Sequence, residues 1–184
     1  MVNICVSGHR PNKIYGYDIY NKKYNQLRDK YLEVLGYISD KYNGIEYLFN
    51  GMAIGWDTIT FEETYFAHDE ISIIGCIPFY KQNNKWNKRD REIYEIMKGK
   101  SDGLVYVDTL EAYTIKGTVE GEYDIRKMQK RNEYMVNNSE VIITCWNREK
   151  QGGTWQCIRY GLKSQWIKEI ININPLTLEI EMLK

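Results

Sequence analysis

Val2-Asn3-Ile4-Cys5-Val6-Ser7 runs directly into Gly8-His9-Arg10-Pro11. A short apolar run that breaks at a glycine, ahead of a segment able to coil, is how a strand hands its chain to a helix in a parallel sheet. The pattern returns twice. Ile45-Glu46-Tyr47-Leu48-Phe49-Asn50 leads into Gly51-Met52-Ala53-Ile54-Gly55, and the run 141–146 leads through a short loop into Gly152-Gly153-Thr154. Runs rich in β-branched or aromatic residues at 71–77, 104–107 and 169–173 bring the expected strands to six. Several are apolar almost throughout, as strands are when helices cover both faces of their sheet.

Between these runs the spacing changes from two to about 3.6. Tyr24, Leu27, Tyr31, Val34, Leu35 and Ile38 fall on one helical face, as do Ile125, Met128 and Met135, and Trp155, Ile158, Leu162 and Trp166. Segments 57–67 and 87–97 complete five expected helices. Strand and helix in alternation predict an α/β fold: a three-layer, Rossmann-like, mainly parallel sheet flanked by helices, forming one domain over residues 1–184. Segment 108–122, with Gly117, Gly121 and scattered apolar residues, stands outside the alternation. It reads as a lid, a small hairpin, an arm toward another subunit or a plain surface loop.

Twenty-five basic residues balance twenty-five acidic ones, so no global positive field favours nucleic acid or an anionic membrane as partner. The local clusters at Lys85, Lys88, Arg89 and Arg91 and at Arg126, Lys127, Lys130 and Arg131 read as solvated helix faces. No apolar stretch nears the ~20 residues a membrane span needs, and the first residues enter a strand rather than a leader, so a cytoplasmic location is expected. Cys5, Cys76 and Cys145 fall in expected strands and Cys157 in a helix. They lack metal-ligand spacing and read as small buried hydrophobes, so no metal is expected. Sixteen tyrosines and five tryptophans leave aromatic rings to spare for a ligand, with Trp56, Phe79, Tyr80 and Trp86 nearest the turns and strand ends.

The three glycine turns carry the chemistry. At a strand-to-helix junction, free backbone N–H groups and the positive end of the helix dipole face the crevice, and glycine lets a phosphate approach them. Ser7 offers a hydroxyl, Gly8 bare backbone, His9 a ring that can stack or hydrogen-bond, and Arg10 a guanidinium fork matched to phosphate oxygens. In the second turn, Asn50, Gly51, Met52 and Gly55 shape the backbone. Asp57 can either cap the following helix or accept from a ribose hydroxyl. Gly152, Gly153 and Thr154 open a helix whose first amides suit a phosphate. Neither a P-loop nor G-x-G-x-x-G is present.

Ser7-Gly8-His9-Arg10-Pro11, Gly51 through Asp57, Pro78-Phe79, Arg131-Asn132-Glu133-Tyr134-Met135-Val136, and Trp146 with Gly152-Gly153-Thr154 together resemble the YpsA-like family of the SLOG superfamily, over residues 4 to about 166. The resemblance implies a Rossmann-like domain whose turns bind a nucleotide or nucleotide derivative, with no separate cofactor. It adds Pro78, Arg131 and Asn132 to the ligand-facing candidates, beside Tyr80, which its place after a strand end suggests, and implies a homo-oligomer. LOG-type relatives, which cleave N-glycosidic bonds of nucleoside monophosphates, carry a glutamate three residues after their threonine; that position here is Cys157. The resemblance therefore points to sensing or sequestration of a signal such as an ADP-ribose-like or cyclic nucleotide. Hydrolysis, with Asp57, Glu62 or Glu63 as substitute acid, and DprA-like nucleic-acid binding stand as alternatives.

Overall fold

A computed structural model describes all 184 residues. The elements run β1 (Val2–Gly8), α1 (Lys23–Tyr42), β2 (Ile45–Asn50), α2 (Trp56–Ala67), β3 (Ser72–Ile77), α3 (Lys88–Lys100), β4 (Gly103–Tyr106), α4 (Ile125–Asn137), β5 (Val141–Cys145), α5 (Gly152–Lys163), β6 (Glu169–Ile173) and β7 (Ile180–Met182). The strands form one sheet in the order β4-β3-β2-β1-β5-β6-β7. All neighbours pair in parallel except β6 and β7, which are antiparallel. The six expected strands are thus present, and the sheet is the mainly parallel α/β sheet that the alternation predicts.

Alternation along each strand divides the core into two layers. Ile4, Val6, Leu48, Ile73 and Ile143 turn toward the helices α1, α2 and α3, where Leu27, Tyr31, Leu35, Trp56, Ile59 and Tyr94 close the larger cluster. Cys5, Phe49, Cys76 and Ile142 turn the other way, onto Met135 and Val136 of α4 and Cys157 of α5. Burial of these apolar surfaces, at about 25 cal/mol per Å², drives the stacking of the layers. All four cysteines are buried and free.

Several expectations need correction. Trp166 lies beyond the end of α5 and is 75% exposed, because the helix stops at Lys163 and the chain turns into β6. Strand β7 has no counterpart in the sequence reading; three residues on a sheet edge leave too short a period to see. Lys127 and Arg131 are not on a solvated face but buried, at 2% and 7% exposure. Segment 108–122 is neither a free lid nor a hairpin. Short 3-10 turns at Val107–Thr109 and Glu111–Tyr113 begin it, and Lys127 then straps it down. The Lys127 ammonium donates to Asp108 Oδ2 at 2.8 Å and to the carbonyls of Val119 and Glu122 at 2.7 and 3.0 Å, while the Gly121 amide donates to the same Asp108 oxygen. Every proton of the buried ammonium has an acceptor, which is what burying a charge requires.

Candidate functional site

Strand β1 has β2 on one side and β5 on the other, so the chain leaves the carboxyl ends of β1 and β5 in diverging directions. In open α/β sheets that divergence leaves a crevice. Here it is a cavity of about 750 Å³, of the size that holds a nucleotide-sized molecule. Ser7 to Lys13 line it, as do Gln151 to Thr154 at the start of α5. Asp57, Gln82, Arg131 and Asn132 line it too, together with Lys85, Trp86 and Tyr123.

The cation set of this cavity is unequal. Arg131 is engaged: its Nε donates to Asn132 Oδ1 at 2.9 Å, its Nη1 donates to the Gly51 carbonyl, and the same nitrogen stands 3.9 Å from Asp57 Oδ2. Lys13 and Lys81 pair with Glu149 and Glu122. Arg10 makes no hydrogen bond or ion pair through its side chain and only lies over the Trp86 ring, 5.8 Å from its centroid. Burial pulls the Arg10 guanidinium below its ordinary value, which Asp57 partly restores. At so high a starting value it stays charged. Lys85 likewise has no carboxylate partner and sits 4.9 Å from the Tyr123 ring.

Helix α5 presents its first turn to the same space. Asn87 caps α3 and Asp124 caps α4 by accepting from Asp90 and Arg126 amides. Gln151 precedes α5 without capping it, no acidic residue occupies the first turn, and the Thr154 hydroxyl makes no hydrogen bond within the chain. The orphan N–H groups that every helix start carries are therefore left to whatever fills the cavity. Gly152 begins the helix at φ +79°, a left-handed conformation that favours glycine.

Asp57 is the cavity's buried carboxylate. Its Oδ2 accepts the Ala53 amide at 3.2 Å, and Oδ1 accepts nothing. Burial raises its pKa, opposed first by Arg131 and then by Arg10. His9 also lines the cavity, but its Nε2 is held by Asn147, 2.7 Å from Oδ1 and 3.2 Å from the backbone N, which ties the loop after β1 to the loop after β5. Burial lowers the His9 pKa, so the ring is neutral near pH 7.

Of the residues expected to face ligand, Ser7, Gly8, His9, Arg10, Asp57, Arg131, Asn132, Gly152, Gly153 and Thr154 line one cavity. Asn50, Gly51, Met52, Gly55, Pro78 and Tyr80 do not. Asn50 is fully buried, donating to the Asp57 carbonyl at 2.8 Å and to Thr60 Oγ1 at 3.2 Å and accepting from the Met52 amide at 2.8 Å. Tyr80 is exposed and leans on Tyr106, 6.0 Å between centroids. Glu62 and Glu63 are committed to Arg28 at 3.0 and 2.5 Å, on the face of α2 away from the crevice. Cys157 is buried in the smaller core cluster, with its thiol pushed up to about 11, and is neither a lining group nor a thiolate. Sequence reasoning missed Gln82, whose only signal was its position just after the Pro78-Phe79 segment, and read Lys85 as part of a solvated helix face, whereas it precedes α3 and lines the cavity.

A family model, the YspA SLOG family (YpsA), matches residues 4–174. The chain belongs to this SLOG family. An uncharacterized SPbeta prophage-derived protein of Bacillus subtilis strain 168, YoqJ, is 30% identical over 153 residues, covering 82% of this chain and 88% of that protein. Among solved structures, the X-ray structure of TM1055, a structural-genomics target, aligns with a TM-score of 0.49 at 17% identity, covering 88% of this chain and 68% of its own. Membership of the SLOG family agrees with the Rossmann-like sheet described above, and no helix is long and apolar enough to cross a membrane.

Proposed function

We propose that the crevice between β1 and β5 holds a phosphate-bearing, nucleotide-derived small molecule, and that the protein senses or sequesters it. The observation that carries this reading is Arg10: a guanidinium without a hydrogen-bonding partner, lining the same cavity as the uncapped first turn of α5. A half-buried cation without a counter-charge is unfavourable unless an anion covers it, and helix amides beside an arginine fork are matched to phosphate oxygens. Asp57 adds an acceptor suited to a sugar hydroxyl. The YspA SLOG family match supports the nucleotide class, and an ADP-ribose-like or cyclic nucleotide signal fits a cavity of about 750 Å³.

Binding without turnover rests on the acids. The position where LOG-type relatives carry their glutamate is Cys157, which is buried under the cavity, and Glu62 and Glu63 are spent on Arg28. The observation on the other side is Asp57, a buried carboxyl with a raised pKa inside the crevice, a placement that suits a general acid. Calorimetry against ADP-ribose, NAD, AMP and cyclic dinucleotides should give at least one micromolar ligand. Absence of heat with every ligand at hundreds of micromolar would sink the reading. Chromatography of the same mixtures should show no free base above the buffer control. Base release abolished by Asp57→Asn would replace sensing by hydrolysis.

A further inference from the structure

Helix α4 carries one apolar row, Ile125, Met128 and Met135, whose two ends have different surroundings. Met135 is buried in the smaller core cluster, as a core-facing row requires. Ile125, at the start of the helix, is 67% exposed, Met128 is half-buried, and both line the cavity. Tyr123, two residues ahead of the helix, also lines the cavity and is 56% exposed. The row therefore leaves the core and runs on into the crevice with much of its apolar surface open. Apolar surface gathered at a cavity marks a place that a ligand covers.

Tyr123 sits in a loop, yet the loop is anchored on both sides of it. The Lys127 ammonium donates to the Glu122 carbonyl at 3.0 Å, the Lys81 amide donates to the Gly121 carbonyl at 3.3 Å, and Asp124 accepts the Arg126 amide at 2.8 Å as the cap of α4. The Tyr123 ring meets the fully buried Phe79 edge to face, 5.6 Å between centroids. A ring already fixed in place loses little freedom when a flat ligand stacks on it. Lys85 lies over this ring at 4.9 Å but is itself exposed, so a base stacked there would displace a solvated ammonium and no packed core. The other rings near the turns are committed elsewhere: Trp56 is fully buried, Tyr80 leans on Tyr106, and Trp86 packs on Tyr94 beneath Arg10.

We infer that the base of the bound nucleotide lies along Tyr123, Ile125 and Met128, stacked on the Tyr123 ring, and that Tyr123 separates nucleotides from sugar phosphates. This rests on the reading that a nucleotide derivative occupies the crevice. Arg10 and the start of α5 offer donors to an anion, and a phosphate or sugar phosphate uses those alone. Only a molecule that also carries a flat apolar group covers the open end of the α4 row, and aromatic stacking accepts any base because every base has a π-face.

The test is calorimetry with AMP and with ribose 5-phosphate, which lacks the base, on the wild-type chain, Tyr123→Leu and Tyr123→Phe. The wild type should bind AMP at least about tenfold more tightly than ribose 5-phosphate. Tyr123→Leu keeps apolar bulk against Phe79 without a ring face, so AMP should weaken at least about fivefold while ribose 5-phosphate binds as before, and Tyr123→Phe should restore AMP. Where ribose 5-phosphate binds too weakly to measure, AMP with the Leu and Phe variants decides, melting curves showing that both fold as the wild type does. Equal binding of the two ligands by the wild type, or AMP binding untouched by Tyr123→Leu, overturns the inference and leaves the phosphate site standing. So does an equal loss for both ligands, which would make Tyr123 a support for its loop. Failure of both ligands to bind overturns the inference together with AMP as occupant of the crevice.

Discussion

The second glycine turn and the mouth formed by the first and third look alike in sequence and differ in almost every contact. Around Gly51 the polar groups are turned inward: Asn50 binds the turn and the helix after it, Thr58 donates to the Ala53 carbonyl at 3.1 Å, and Arg131 and Gln82 share the Gly51 carbonyl. At the mouth they are turned outward, with Arg10 unpaired and α5 uncapped. Glycine serves close packing of protein on protein at Gly51, and at Gly8 too, where a Cβ would stand 2.4 Å from the Trp56 ring, while at Gly152 and Gly153, with nothing within 4 Å, we propose that it serves close approach of a ligand. A turn of the first kind builds a site's wall; a turn of the second kind makes its contacts. The difference appears only when the partners of each polar atom are traced.

The packed side should break hardest, and first at Lys127. Lys127→Ala leaves Asp108 buried without its counter-charge and releases the Val119 and Glu122 carbonyls, so we expect a loss of about 3–5 kcal/mol in urea denaturation. Because Glu122 and Tyr123 line the cavity, ligand affinity should fall as well. Were stability to change by less than about 1 kcal/mol, the strap would not be holding segment 108–122.

Gly51→Ala comes next. A Cβ there would stand 1.9 Å from Arg131 Nη1 and 2.7 Å from Asp57 Oδ2, both side chains buried and engaged. Overpacking of this kind costs about 1–3 kcal/mol. The matched substitution at the mouth, Gly153→Ala, meets nothing within 4 Å and should change stability by less than about 0.5 kcal/mol. Equal losses at the two glycines, measured by the same denaturation, would erase the contrast between the turns.

Arg10→Ala reverses the readout. The side chain's only partner is the face of Trp86, worth about 1 kcal/mol at most, so thermal stability should barely move. Affinity for a phosphate-bearing ligand should fall at least about tenfold, the share of a charged hydrogen bond at the ligand. A variant that melts several degrees lower yet binds as before would make Arg10 a structural residue and leave the mouth without its anion site.

The strands and the crevice were legible for different reasons. Strands 2–7, 45–50 and 141–146 are apolar runs ending in turn residues, and such local patterns survive into the fold nearly unchanged. That Ser7 to Arg10 and Gly152 to Thr154 meet follows from β1 pairing with β5, which no local pattern dictates but which parallel α/β topology favours. What local pattern could not give was burial of charge. Lys127 finds Asp108 nineteen positions away and Arg131 finds the Gly51 carbonyl eighty positions away, so both read as surface until the chain is folded. Gln82 was invisible for the same reason, its partners lying thirty and thirty-one positions back. Gly51 and Gly55 misled in the opposite direction, since a glycine required by packing spells the same as a glycine required by a ligand.

The smallest effect bears on Asp57, which belongs to both regions: its Oδ2 is tied into the packed turn and its Oδ1 accepts nothing from the chain. Burial raises this carboxyl above its ordinary value of 3.8, so the folded chain keeps the proton to a higher pH than the unfolded chain does. The stability this group contributes is therefore present in full below the unfolded value and is lost as pH rises through the folded one. Asp57→Asn keeps an acceptor for the Ala53 amide and removes the buried charge, so it should melt higher than the wild type at pH 7, with the gap narrowing toward pH 4. Ligand affinity should move the other way, since an ionised carboxylate is the stronger acceptor for a hydroxyl. A melting difference that stays constant from pH 4 to pH 7 would mean that Arg131 and Arg10 already neutralise Asp57, and the packed turn would then extend to the cavity surface.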